Sequence, residues 1–267
     1  ALIRKLKKIL SDEREVMKII AGELEKLVEQ HGDKRRTEII AATTEISIED
    51  MIAEEDMVVT VSHEGYVKRT PVSQYSAQKR GGKGRIGART RGEDFVEKMF
   101  VASTHDYLLF FTSVGRVYWK KVHELPLAGR AARGKAIVNL LALGPGETLS
   151  AFLSVREFSD DAYVVFTTAK GTVKKTPLSD YSRPRPSGII AIKLRKEDRL
   201  IGVCLTDGNQ QLALSTRAGM VVRFKEGEVR SMGRGAAGVK GAGLAKADEV
   251  VSMEVVSPGD TLLTISE

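Results

Sequence analysis

Residues 76–90 read SAQKRGGKGRIGART and hold Lys79, Arg80, Lys83, Arg85 and Arg89 among four glycines, with no acid. A stretch so poor in apolar side chains cannot bury itself, and its charge must face outward. Glycine lets the backbone approach a ligand closely, and Lys and Arg pair with phosphate oxygens. The chemistry predicted here is the gripping of a phosphate backbone. Gln78, Gly81, Gly82 and Gly84 shape the loop, and Lys79, Arg80, Lys83 and Arg85 make the contacts. A nucleotide P-loop would need G-x-x-x-x-G-K-[ST] opening a helix, whereas Gly84 is followed by Arg-Ile-Gly. GRGAAG at 233–238 has the G-x-G-x-x-G spacing, but it follows KEGEVRSM rather than a buried strand and reads as a loop.

Other chemistry is poorly supplied. His31, His63, His105 and His123 lack metal-ligand spacing, and the single cysteine, Cys204, excludes a zinc cluster and an internal disulfide framework. Glu54 with Glu55 and Asp160 with Asp161 are adjacent acids that read as solvated charges. No catalytic residue, metal site or cofactor is therefore expected in this chain. The net charge of +7 and pI near 9.4 favour a polyanionic partner. No apolar run is long enough to span a membrane, and ALIRKLKKIL lacks the apolar core and cleavage site of a signal peptide. A cytoplasmic location without membrane contact is expected. The chain starts at Ala1 and stops at TLLTISE without a turn, as a piece of a longer protein would.

The elements that must position these cations fall into three parts. Residues 1–40 read as helix, with Ser11 as N-cap, Asp12 and Glu13 in the first turn, Met17, Ile20, Leu24, Leu27 and Val28 at helical spacing, and Gly32 as the stop. Residues 41–56 hold six acids and no base and read as an acidic linker; from Tyr66 to Arg91 there are eight bases and no acid. From residue 57 to 267 a repeat takes over. Its hairpin glycines, Gly65, Gly115, Gly171 and Gly219, are 50, 56 and 48 residues apart. Three residues before each stands Ser62, Thr112, Thr168 or Thr216; two after it stands Val67, Val117, Val173 or Val221, expected to face the core. A second glycine follows in each unit, at 82, 134, 188 and 238, and AIVNLLAL and IIAIKL are expected as strands behind it. About four strands in about 50 residues predict an all-β, propeller-like array of four blades and part of a fifth, preceded by a short helical segment.

Basic residues recur along the units and are expected on one continuous rim: Lys68 and Arg69, Lys120 and Lys121, Lys174 and Lys175, Arg223 and Lys225, then Arg130 and Arg133, Arg183 and Arg185, Arg230 and Arg234. Such a stripe suits an extended polyanion. Aromatic side chains are sparse, so double-stranded DNA held by its backbone fits better than a stacked single strand.

QKRGGKG, residues 78–84, resembles the signature box of the DNA gyrase A protein family, which usually has Arg where Lys79 stands. GDKRRTEI (32–39) resembles the end of that family's breakage-and-reunion core. GYVKRTP, GRVYWKKVHELP, ARGKAIVNLL, GTVKKTPLSDY, AIKLRKEDRLIGV and VVRFKEGEVRSMG resemble its successive C-terminal blades. The resemblance implies a β-pinwheel that wraps duplex DNA around its basic edge, the wrap depending on the box. It implies negative supercoiling driven by ATP, with Mg2+, on other domains; a homodimer of gyrase A joined by two copies of gyrase B; and a nucleoid-associated, cytoplasmic setting. The catalytic tyrosine of the family belongs to the core, so none of the six tyrosines here takes that role. Two alternatives stand beside this reading: the C-terminal domain of the corresponding topoisomerase IV protein, whose box is degenerate or missing, and a basic propeller that binds acidic proteins.

Overall fold

The computed structural model describes residues 2–33, 49–75, 94–261 and 263, and divides the chain into two compact units, Ala1–Ser47 and Ile48–Glu267. The first unit holds two helices rather than one, α1 (Leu2–Ser11) and α2 (Glu13–His31). The N-cap is Asp12, not Ser11. Asp12 has extended backbone and its carboxylate accepts the Arg14 N–H at 3.1 Å, while the Ser11 hydroxyl turns back to donate to the Lys8 carbonyl. Glu13 and Glu15 then sit in the positive first turn. Gly32 does stop the helix, its N–H donating to the Val28 carbonyl at 2.7 Å. Met17, Ile20, Leu24, Leu27 and Val28 are all exposed. Residues 34–40 of the expected helix lie outside the described residues.

The second unit is all-β. Its strands are β1 (Asp56–Ser62), β2 (Tyr66–Pro71), β3 (Val96–Ser103), β4 (Tyr107–Thr112), β5 (Arg116–Lys121), β6 (Lys135–Ala136), β7 (Leu149–Val155) and β8 (Tyr163–Thr168). They continue with β9 (Thr172–Pro177), β10 (Ile189–Ile190), β11 (Leu200–Thr206), β12 (Gln211–Thr216), β13 (Val221–Lys225), β14 (Val239–Lys240) and β15 (Val250–Val256). These form antiparallel blades in the orders β3-β1-β2-β6, β10-β5-β4-β7, β11-β8-β9-β14 and β13-β12-β15.

The spacing of the turn residues has a direct physical reading. Gly65, Gly115, Gly171 and Gly219 have φ of +74 to +79, and each donates its N–H to the carbonyl three residues back. The Ser or Thr at that earlier position accepts, through its hydroxyl, the N–H of the residue after the glycine, at 3.1–3.3 Å in all four turns. A glycine and a small hydroxyl three residues apart are thus two halves of one turn.

Blade membership departs from the expected repeat. The fourth strand of each complete blade comes from the next repeat: β6 pairs with β2, β10 with β5 and β14 with β9. These strands are two residues long, so AIVNLLAL and IIAIKL are not full strands. The chain crosses to the preceding blade after Gly134, Gly188 or Gly238, all with positive φ. It then hooks onto a hairpin glycine: Gly65, Gly115 and Gly171 carbonyls accept the N–H groups of Ile137, Ala191 and Gly241 at 2.8–2.9 Å. A Cβ on Gly238 would stand 2.9 Å from Thr172 Cγ2 and 3.1 Å from Lys174 Cβ, so this close crossing requires glycine.

Val67, Val117 and Val173, each opposite a crossing strand, are fully buried; Val221 is 49% exposed, since β13 has no such partner among the described residues. In the first three hairpins most residues of the strand pair are buried, whereas β13 is largely exposed. On β4, Leu108 and Phe110 enter the core shared with the first blade, while Leu109 and Phe111 enter the core shared with the third. This explains why the strand reads as a continuous apolar run. A third core joins Val165 and Val173 to Leu212 and Leu214.

Candidate nucleic-acid interface

The expected rim separates into three groups of cations. The first is buried. Lys68 and Lys174 stand third after their hairpin glycines and are 1% and 0% exposed. Lys68 Nζ donates to the Gly129 carbonyl at 3.3 Å and to the Arg130 carbonyl; Lys174 Nζ donates to the Ala191 and Arg234 carbonyls, both at 2.6 Å. Lys175 is also buried, donating to the Glu226 carbonyl at 3.3 Å with the Glu226 carboxylate at 3.8 Å. These three do not line a rim, contrary to expectation. They tie one blade to the loop of the next; Lys174 and Lys175 are neighbours on β9 and take opposite faces, both of which are buried. The hairpin register also breaks the expected phase: the third position is Tyr118 in the second blade and Val222 in the fourth.

Burial lowers the Lys174 pKa to about 8 from its ordinary 10.5. Below that value both folded and unfolded chains carry the proton, and the fold bears the full cost of desolvation. Between about pH 8 and 10.5 only the unfolded chain binds it, so stability contributed at this site rises with pH. Lys174→Met should cost about 1–3 kcal/mol at neutral pH, because the Arg234 carbonyl loses this donor and the Ala191 carbonyl keeps only the Tyr181 hydroxyl. Denaturant titrations of both proteins across this window should show wild type gaining on the variant as pH rises.

The second group is already paired. Arg69 Nε donates to the Leu125 carbonyl at 2.9 Å. Lys120 meets Glu124 at 3.2 Å and Lys121 meets Glu49 at 2.7 Å. Arg133 pairs with Glu64 and lies 3.6 Å over the Tyr66 ring. Glu49, Glu64 and Glu124 were missed in the sequence. For Glu49 the signal was there, in the acidic stretch that precedes the basic one.

The third group is available. Arg183, Arg185, Arg223, Lys225 and Arg230 are exposed, Arg130 and Arg234 half-buried, and none of the seven makes an ion pair among the described residues. Five of them sit on one kind of element. Each crossing loop leaves a short 3-10 turn (Val122–Glu124, Leu178–Tyr181 or Glu226–Glu228) and ends at a positive-φ glycine. Arg130 lies on the first such loop, Arg183 and Arg185 on the second, Arg230 and Arg234 on the third. Two of the loops are pinned to the preceding blade: Arg69 exchanges backbone hydrogen bonds with Pro126 and Ala128, and the Lys175 carbonyl accepts the Met232 N–H at 2.8 Å. Gln78, Lys79, Arg80, Gly81, Gly82, Lys83, Gly84 and Arg85 lie outside the described residues. In sequence they fall between the 3-10 turn Val72–Gln74 and β3, the interval in which later repeats build their crossing loops.

Tyr118, Trp119 and Tyr181 are buried and offer no open stacking platform. Tyr181 donates to the Ala191 carbonyl, and burial raises its pKa, so it is no nucleophile. Burial, with the carboxylates of Glu226 and Glu254, pushes the Cys204 thiol up to about 12.

Antiparallel blades that borrow a strand from the following repeat, with unpaired arginines on the loops that make the crossing, define a propeller-like domain. The chain belongs to the family described as DNA gyrase C-terminal domain, beta-propeller, which matches residues 56–103, 106–156, 162–203 and 210–257. The DNA gyrase A protein of Salmonella typhimurium is 51% identical over 252 residues, covering 94% of this chain and 29% of the relative. The Escherichia coli K12 protein of the same name is 51% identical over 238 residues, 89% of this chain and 27% of the relative. The chain thus spans less than a third of these curated relatives. Among solved structures, the C-terminal domain of DNA topoisomerase IV superposes with a TM-score of 0.68 at 36% identity, covering 79% of this chain and 64% of that one. The DNA gyrase A C-terminal domain gives 0.60 at 27% identity, covering 76% and 65%. Topoisomerase IV fits less well as an assignment, since the gyrase A sequences are about half identical over most of the chain.

Proposed function

We propose that this chain binds and wraps duplex DNA as part of a gyrase A protein. The observation that carries the reading is the placement of unpaired arginines at one topological position in three successive repeats, on crossing loops whose sequence counterpart in the first repeat contains QKRGGKG. Lys79, Arg80, Lys83 and Arg85 on that first segment, with Arg130, Arg183, Arg185, Arg230 and Arg234 on the later ones, form a track for phosphates. Arg223 and Lys225 extend it along β13.

Bending a 20–30 bp duplex costs about 1–6 kcal/mol, and counterion release at each neutralised phosphate offsets that cost. With about eight phosphates held, affinity should fall by roughly 10³–10⁵ between 50 and 200 mM salt. Side chains on loop ends reach phosphates rather than base edges, so sequence preference is weak. Lys79 carries the charge without the bidentate fork of an arginine, so it grips as a point charge.

In the whole protein the wrap hands a DNA segment of fixed handedness to the cutting core, and negative supercoils result. Strand cleavage belongs to that core, ATP and Mg2+ to domains beyond this chain, and the assembly pairs two copies of gyrase A with two of gyrase B in the cytoplasm. The test is ligation of nicked plasmid in the presence of the 267-residue chain. A shifted linking number after deproteinisation is expected. Binding without any shift would sink the wrapping reading and favour a scaffold for acidic proteins.

A further inference from the structure

A cleft of about 450 Å³ opens between the second blade and the loop of the third, lined by Tyr107, Lys120, Lys121, Pro184 and Arg185 and by one acid, Glu124, which pairs with Lys120. Three cations reach it from two blades, yet among the described residues only Arg185 of these lacks an ion pair. Lys121 is held from three sides: Nζ lies 2.7 Å from Glu49 Oε1, 2.8 Å from the His105 carbonyl and 3.6 Å from the centre of the Tyr107 ring. Its side chain is 16% exposed and that of Glu49 35%, so this pair is better shielded than an ordinary surface one.

Glu49 opens a 3-10 turn (Glu49–Met51) on a segment strapped to the second blade. His105 Nε2 lies 2.9 Å from the Ile52 carbonyl, the Thr104 hydroxyl donates to the Ala53 carbonyl, and Thr104 and Glu55 join through backbone and hydroxyl. The strap ends in β1, so its carboxylate is carried to Lys121 by the fold itself. Glu54 also meets Arg156, but that pair is well exposed and Arg156, unlike Lys121, does not line the cleft.

From this geometry we infer that the cleft is a phosphate site of the DNA track and that Glu49, which holds Lys121 without itself lining the cleft, is an intrachain competitor for that lysine. A carboxylate and a phosphate oxygen make the same charge-assisted bond to an ammonium group. While Glu49 is in place, Lys121 cannot release a counterion by binding DNA; when it leaves, Lys121 joins Arg185 and the track gains one contact. The inference rests on the DNA-wrapping reading and adds a regulatory element to it.

The test is the salt dependence of binding of the 267-residue chain to a fluorescent linear duplex. Glu49→Gln should steepen the slope of log K against log salt by about 0.9 and tighten binding about eightfold at 0.1 M salt, the value of one more phosphate contact. Glu54→Gln removes the same charge nearby and should change affinity by less than about twofold. Lys121→Gln should abolish the gain when combined with Glu49→Gln. An unchanged slope in Glu49→Gln, or a gain that survives in the double variant, overturns the inference. If wild type itself fails to bind duplex at low salt, the DNA reading falls instead, so the two failures are distinguishable.

Discussion

Replacing Lys79, Arg80 and Lys83 together by alanine is expected to erase the linking-number shift while leaving the fold intact. The three cations lie within five residues of a glycine-rich stretch with no acid near them in sequence, so nothing local competes for them. If each holds one phosphate, their removal takes about 2.7 from the salt slope and about 10²–10³ from affinity at 0.1 M salt. Topology should suffer more than affinity. The later crossing loops would still hold DNA, but the duplex would no longer be gripped at the first repeat, and a path held along only part of its length constrains no writhe. Ligation of nicked plasmid and a binding titration on the same preparations separate the two readouts. A variant that keeps the full shift would show that the box is not the clamp.

The second large effect is expected from Arg183, Arg185, Arg230 and Arg234. Changing all four to alanine should lower the salt slope by about 3 to 4 and weaken binding by three decades or more at 0.1 M salt. The thermal midpoint should move little, because these side chains make no ion pair among the described residues and Arg183, Arg185 and Arg230 are exposed. The contrast with Lys68 and Lys174 is the decisive comparison. Those lysines contribute nothing to the rim, so Lys174→Met should lower stability and leave the salt slope unchanged. A rim built on the hairpin positions themselves, as the sequence suggested, would give the reverse pattern.

Why the sequence misassigned these lysines follows from the geometry of a strand. Counting cations after a glycine finds Lys68 and Lys174 readily, but a strand alternates its faces every residue, and on β2 and β9 residues of both faces are buried. A lysine that follows a buried valine on such a strand reaches inward to a loop carbonyl as easily as outward. The helical segment shows the same limit. Ser11 and Asp12 are both good caps, and only the direction of the Ser11 hydroxyl decided between them.

Local chemistry was legible in the sequence alone. The hairpin turns were, because glycine with positive φ and a hydroxyl three residues earlier complete one hydrogen-bonded unit within five residues. The blade period, the stop at Gly32 and the excess of positive charge were legible for the same reason: each is encoded by neighbours in the chain. The tertiary structure decided what depends on residues 50 or more apart. It gave each complete blade its fourth strand from the following repeat, buried Lys68, Lys174 and Lys175 against carbonyls of the next unit, and set Glu49 on Lys121. Charge can be counted along a chain, but whether a charge is free depends on what the fold brings beside it.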